Sequence, residues 1–176
     1  YFFTLLSSCD QATALYWCCG IGSTGLATVY WYDGNTKSAV GSTTLSKGTW
    51  NHVAFVVTSG VVKIYVNGVA ETLTGTTTLT NPTGNSSYTT GTERGSSNGG
   101  SAGYISNLRT NTGAVYNANF TPSTTPLTNI ANSTLLTNQS NRFVDNSTSA
   151  RAITPFTTTP PSVQAFSPFA PGATYS

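Results

Sequence analysis

Five carboxylates, one histidine and three cysteines are the groups in this 176-residue chain that could move a proton, attack a substrate or hold a metal. The acids are Asp10, Asp33, Glu71, Glu93 and Asp145, and no two are close in sequence. Glycoside hydrolysis needs two carboxyl groups held about 5 to 9.5 Å apart, and the spacing offers no pair on one element. His52 would have to serve any Ser–His–Asp arrangement. It lies beside Trp50 in a strand-like run, where a lone histidine reads as a packing or hydrogen-bonding residue. Cys9, Cys18 and Cys19 are odd in number, and the adjacent pair must point to opposite faces of a strand. Buried thiols are the preferred reading, with a Cys9–Cys18 bridge as the alternative. No CxxC pair accompanies the single histidine, so no metal centre is expected. Sugar binding needs exposed aromatics beside amides and carboxylates. Tyr30, Trp31, Tyr32 and Tyr88 are the ligand-binding candidates. Tyr30 and Tyr32 share a face opposite Trp31, and for those two the packing and binding readings are level. Trp17 and Trp50 read as packing residues.

The elements that must position these groups are strands. Helical periodicity is absent. Gly48-Thr49-Trp50-Asn51-His52-Val53-Ala54-Phe55-Val56-Val57 and Val61-Val62-Lys63-Ile64-Tyr65-Val66-Asn67-Gly68 read as adjacent strands around the turn Thr58-Ser59-Gly60. Asn67-Gly68 is a strong two-residue hairpin signal, because both central residues need positive φ. Tyr1–Ser8, Thr13–Cys19, Leu26–Tyr32, Ser38–Leu45, Val69–Leu73, a short piece near Ser87–Gly91, and Gly103–Arg109 are the other expected strands. Asp33-Gly34 is a second turn. Residues 75 to 100 are turn-rich, and the small-residue loop before Gly103 reads as a binding surface or an edge. From Thr121 onward prolines accumulate, and proline cannot donate to a sheet, so irregular or edge structure is expected there. Leu135-Leu136 and Phe143-Val144 still call for burial. The chain holds no Met and starts at Tyr1 in a strand-like run, so an internal fragment or processed product, with strands upstream, is expected.

The run "GTWNHVAFVV…VKIYVNG" resembles the concanavalin A-like, laminin-G-like sandwich family. Gly103-Tyr104-Ile105-Ser106-Asn107-Leu108-Arg109 is similar to the closing strand of laminin-G-like and pentraxin-like domains. An ordered series follows: Ala114-Val115-Tyr116, Asn119-Phe120-Thr121-Pro122, Leu135-Leu136-Thr137, Gln139-Ser140-Asn141-Arg142-Phe143, and Phe166-Ser167-Pro168-Phe169. It resembles a module of tailed-bacteriophage structural proteins, notably of marine cyanophages, over roughly residues 48 to 170. The stretch Cys9 to Cys19 matches no word of that family. The glucanases of this fold carry a Glu-x-Asp-x-Glu strand, which is missing here, so the resemblance implies no catalysis. Calcium is the usual cofactor of pentraxin-like relatives. Asp33 and Asp145 are the only plausible donors, and both are read in preference as turn residues, so no cofactor is expected.

Composition limits partners. Charged residues are 7% of the chain and the net charge is +2, too little and too scattered for a nucleic-acid footprint. No apolar run approaches the roughly 20 residues that a spanning helix needs. Asn-x-Ser/Thr triplets occur at Asn85, Asn119, Asn132, Asn138 and Asn146, and are given no role. The expected fold is an all-β, two-sheet antiparallel β-sandwich of the concanavalin A-like jelly-roll type. A sandwich over 1–120 is followed by a Pro/Thr-rich arm over 121–176. Phe156, Phe166 and Phe169 are the candidate subunit contacts along that arm. The expected function is a non-catalytic virion structural module, in a tail fibre, another appendage or a capsid decoration. Its partners would be copies of itself, other virion proteins and a host-surface glycan. The alternatives are a carbohydrate-binding adhesin of a cell surface or secreted protein, then an atypical glycanase using Glu71 or Glu93.

Overall fold

The computed structural model describes residues 2–8, 16–79, 88–92, 103–155, 160–164 and 167–169. Its ordered elements are all strands, and no helix occurs among the described residues. The chain divides into two compact units: Tyr1–Gly103 with Tyr116–Thr121, and Tyr104–Val115 with Pro122–Ser176.

The first unit holds two antiparallel sheets. The larger runs in the order β1 (Phe3–Ser8), β2 (Tyr16–Ile21), β3 (Leu26–Tyr32), β4 (Thr36–Thr44), then β8 (Thr74–Gly75). The smaller is β5 (Val53–Thr58), β6 (Val61–Val66) and β7 (Val69–Ala70). Both hairpin turns of the small sheet are two-residue turns with positive φ: Ser59 at 49° and Gly60 at 77°, Asn67 at 49° and Gly68 at 84°. That backbone matches the strand twist, which is why Ser-Gly and Asn-Gly stand there.

Strand alternation then sorts the side chains. Ala27, Val29 and Trp31 lie on one face of β3 and are buried, with Ala39 of β4, Cys19 of β2 and Leu6 of β1 in the same cross-strand rows. On β6 the alternate residues Val62, Ile64 and Val66 are buried, and β6 is the strand of the small sheet that comes against β3 and β4. Each such aliphatic side chain contributes about 1.5–3 kcal/mol by leaving water. This apolar layer is the core of the first unit.

The second unit is built differently. β9 (Leu108–Asn111) pairs antiparallel with β10 (Ser133–Thr137), with a bulge between Ser133 and Leu135. Leu136 is its buried aliphatic centre, but the other buried side chains are Ser133, Thr137, Gln139, Asp145 and Ser147. Apart from Thr137, whose Oγ1 has no hydrogen-bond partner among the described residues, these polar residues are held in a hydrogen-bonded mesh. Gln139 Nε2 donates to the Leu127 carbonyl, and Asn146 Nδ2 donates to Gln139 Oε1 at 3.0 Å. The Leu127 amide donates to Asn107 Oδ1 at 2.9 Å, and the Thr110 and Thr134 hydroxyls meet at 2.8 Å.

Several expected boundaries move. The strand expected over Gly103–Arg109 starts only at Leu108, because Asn107 takes φ 54° and spends its side chain on Leu127. Val69–Leu73 stops at Ala70, where Glu71 turns toward β4. Near Ser87–Gly91 the pairing is a single bridge, Thr89 with Ser7. The segment expected as an extended arm contains β10, paired with β9.

Candidate functional site

The register places the four expected ligand-binding aromatics on two faces of one sheet. Tyr30 lies opposite Cys18 and Ser38, and Tyr32 opposite Tyr16 and Thr36. Both tyrosines are half-buried, and the Phe2 ring stands edge-on to Tyr30 with centroids 5.1 Å apart. Trp31 is on the other face, opposite Trp17 and Lys37, and is fully buried. Its ring has no surface to offer a ligand, and its Nε1 has no hydrogen-bond partner among the described residues. Tyr88 belongs to the Trp31 row. The Ser7–Thr89 bridge sets it beside Ser8, which pairs with Trp17, and the Trp17 and Tyr88 rings are 5.9 Å apart. Tyr88 is 49% exposed. The four residues therefore form no common patch: Tyr30 and Tyr32 share one face, and Tyr88 sits at the rim of the other. Of the expected subunit contacts, Phe156 and Phe166 lie outside the described residues. Phe169 is half-buried, its amide donating to Ser167 Oγ at 3.2 Å.

Carboxylates are placed more decisively. β4 bulges where Thr28 pairs with Val40 and Leu26 with Thr44, leaving Gly41 to Thr43 outside the regular ladder. The Ser42 and Thr43 amides turn outward and donate to Glu71 Oε2 at 2.7 and 2.6 Å, with Ser42 Oγ at 3.4 Å. Gly41 leaves room for this, since a Cβ there would come within 2.9 Å of that oxygen. The Glu71 amide donates to the Ile64 carbonyl at 2.9 Å, so its backbone belongs to the small sheet and its side chain to the large one. Partial burial works to raise the Glu71 pKa, but the bonds from Thr43 and Ser42 outweigh it and hold the carboxyl below its ordinary value.

Asp145 does the same work in the second unit. Its Oδ1 accepts the Leu136 and Ser147 amides, each at 2.9 Å, and its Oδ2 accepts the Arg151 amide at 2.9 Å. Burial again works to raise its pKa, and the bonds from Arg151, Leu136 and Ser147 bring it below the ordinary aspartate value. Asp33 pairs with Lys37 at 2.7 Å. The Ser147 bond is the local aspartate turn anticipated from sequence. Oxygens ringed by N–H donors face positive partial charge and are poorly placed for a cation. Among the described residues no group of three His, Cys, Asp or Glu could hold a metal. Asp10 and Glu93 lie outside the described residues.

One cluster escaped sequence reasoning. Tyr116 and Phe120 stack with centroids 3.6 Å apart and planes 7° off parallel, over the outer face of β6. Tyr65, fully buried, meets Phe120 at 5.6 Å, and His52 stands edge-on to Phe120 at 5.3 Å and to Tyr116 at 6.1 Å. The Phe120 amide donates to the Gly68 carbonyl at 2.9 Å, and the Ala70 amide to Asn119 Oδ1 at 2.9 Å. The segment 116–121 therefore closes over the hairpin. His52, just before β5, packs there rather than facing an acid. The available signal was the pair of words Val-Tyr and Asn-Phe-Thr-Pro, which gave no address for their rings. Trp50, expected to pack, is 38% exposed. The buried Cys19 thiol is pushed up to about 12, by burial first and against the Leu6 carbonyl contact at 3.6 Å, so it is no nucleophile. Cys18 is buried as well, and Cys9 lies outside the described residues.

Among known families, the model described as Laminin_G_3, concanavalin A-like lectin/glucanases superfamily, matches residues 1–124. Comparison with curated proteins and with solved structures returned no match.

Proposed function

We propose that this chain, which belongs to the concanavalin A-like lectin/glucanase superfamily, is a non-catalytic assembly module of a tailed-phage virion, folded as a two-sheet jelly-roll sandwich. The observation that supports the non-catalytic part is the fate of the three carboxylates among the described residues. Glu71 and Asp145 are each committed to backbone amides and Asp33 to Lys37. A general acid in a glycosidase needs a raised pKa, and Glu71 and Asp145 are shifted the other way. Fold membership alone carries no activity. The virion part rests on the ordered words from Gly103 to Phe169, together with a surface of Thr, Ser, Asn and Gly carrying few charges. Such a surface suits repeated neutral contacts between subunits.

Immunogold labelling of purified phage particles with an antibody to this domain tests the reading. Label on the head places it as a decoration protein, and label on the tail or fibres makes attachment its leading role. A preparation with no label on any particle overturns the virion reading. A carbohydrate-binding adhesin is the second reading, favoured by the half-exposed face shared by Tyr30 and Tyr32. It requires glycan binding that weakens in Tyr30→Ala and Tyr32→Ala.

A further inference from the structure

The turn between β6 and β7 is built from a dipeptide with its own chemistry. Asn-Gly is the asparagine pair most prone to deamidate in a flexible chain, since glycine puts no side chain beside the attacking nitrogen. At Asn67-Gly68 the Gly68 nitrogen would give up its proton and bond to Asn67 Cγ. The side-chain nitrogen would leave as ammonia, and a five-membered succinimide would remain. Water then opens one of the two bonds between the ring nitrogen and its carbonyls. The outcome is an aspartate or an isoaspartate at position 67.

The folded hairpin opposes ring closure twice over. The φ values, 49° at Asn67 and 84° at Gly68, are those of a type I′ turn. As the mirror image of type I, that turn sets ψ of its first central residue near about +30°. The Gly68 nitrogen then stands almost opposite Asn67 Cβ across the Cα–C bond, whereas the ring needs the two on the same side. The side chain is clamped as well. Its Oδ1 accepts the His52 amide at 2.8 Å, and its Nδ2 donates to Asn51 Oδ1 at 3.4 Å. Asn51 is fixed in turn, its Nδ2 donating to the Ser46 carbonyl at 3.0 Å and the Thr49 carbonyl at 3.2 Å. The Asn67 amide donates to the His52 carbonyl at 2.8 Å, and the Gly68 carbonyl accepts the Phe120 amide at 2.9 Å. Rotating Asn67 into the reactive form therefore means breaking its bonds to residues 51 and 52 and releasing Phe120.

We propose that Asn67-Gly68 is a fold-gated modification site: inert while the hairpin is closed, converted by water alone once it opens, and unable to close again after isoaspartate forms. The products explain the last step. An aspartate at position 67 has no hydrogen to give Asn51 Oδ1 and sets a negative oxygen against it. An isoaspartate carries the main chain through its β-carbon and adds a backbone atom to a two-residue turn. The length of that turn fixes the Val66↔Val69 pair, so the register of β6 and β7 is lost with it. The turn thus keeps a covalent record of having been unfolded. The particle reading plays no part in this and stands or falls separately.

Ageing the full 176-residue chain in mildly alkaline buffer, folded and in guanidinium chloride, reads it out. Fragment masses locate the deamidation and separate Asn67 from Asn98-Gly99, the other Asn-Gly of the chain. Conversion at Asn67 should be at least about tenfold slower in the folded chain, since bonds to residues 51, 52 and 120 must open first. Asn51→Ala takes the acceptor from Asn67 Nδ2. It should speed conversion severalfold in the folded chain and leave the rate in denaturant unchanged. After dilution of the aged, denatured chain, molecules with isoaspartate at position 67 should be missing from the refolded fraction. The folded and denatured rates of the parent chain decide the matter even if the variant folds poorly. Equal rates in the two states overturn the proposal. So does a folded rate unmoved by Asn51→Ala in a variant that folds, or converted chains that refold as completely as unconverted ones.

Discussion

The two units hold themselves together by different chemistry. In the first, Trp31, Val29, Ala39, Val62, Ile64 and Val66 form an apolar layer, with Thr4, Ser7, Ser8 and Thr28 of β1 and β3 the buried polar residues beside it. In the second, Gln139, Asp145, Ser147, Thr137 and Ser133 occupy the buried positions around Leu136. The difference lies in where stability is stored. An apolar core loses stability in proportion to the volume removed from it. A polar core loses it by leaving donors unsatisfied, which depends on single atoms and on protonation.

The largest expected effect comes from cutting the apolar layer. Ile64→Ala should destabilise the first unit by about 2–5 kcal/mol in urea unfolding. Cys19 supplies a local readout: its buried thiol should label slowly with iodoacetamide in the native chain and faster in this variant. An equal labelling rate would mean that the layer does not guard Cys19. Asp145→Ala comes next, at about 2–3 kcal/mol, because the Leu136, Ser147 and Arg151 amides lose their shared acceptor. Hydrogen exchange should speed at those amides while Cys19 labelling stays slow. If Cys19 labelling rises as well, the two units are not independent and the contrast fails.

Acid should act through the two seated carboxylates. Both titrate below their ordinary values when folded, so their contribution is complete above the unfolded carboxylate range. It is lost as pH falls through the lower folded values. Glu71→Gln should cost about 1 kcal/mol at neutral pH and should flatten the first unit's share of the acid loss. An unchanged acid profile would remove Glu71 from that role. The smallest effect is expected at Tyr32→Ala, within about 0.5 kcal/mol in thermal unfolding because the side chain is only half-buried at a sheet end. A larger loss would make Tyr32 a packing residue and weaken the glycan reading.

Local rules made much of the first unit legible. Leu26–Tyr32 came out with its bounds unchanged, because alternation and the Asp33-Gly34 turn mark both ends. The small-sheet hairpins followed from Ser-Gly and Asn-Gly. Legibility failed where a side chain replaces a main-chain partner. Glu71 ends β7 early by reaching for β4, and Asn107 delays β9 by capping Leu127. Neither act leaves a periodic trace. β10 was missed because Ser-Thr-Leu-Leu-Thr alternates weakly and its outer edge is closed by an aspartate nine residues on. Of the site, the alternation of Tyr30, Trp31 and Tyr32 was readable. That Tyr88 joins the Trp31 row depends on one long-range bridge, Ser7 with Thr89, and no local pattern encodes it.

The seats of Glu71 and Asp145 have a consequence for brine. A carboxylate held by a mobile counter-cation weakens as dissolved ions crowd in, since screening at 1 M salt shortens electrostatic reach to about 3 Å. These two are held at contact distance by main-chain amides rather than by a counter-cation. With Lys37–Asp33 the one ion pair among the described residues, the fold has almost nothing for salt to screen. Its melting temperature should barely move between dilute buffer and strong brine.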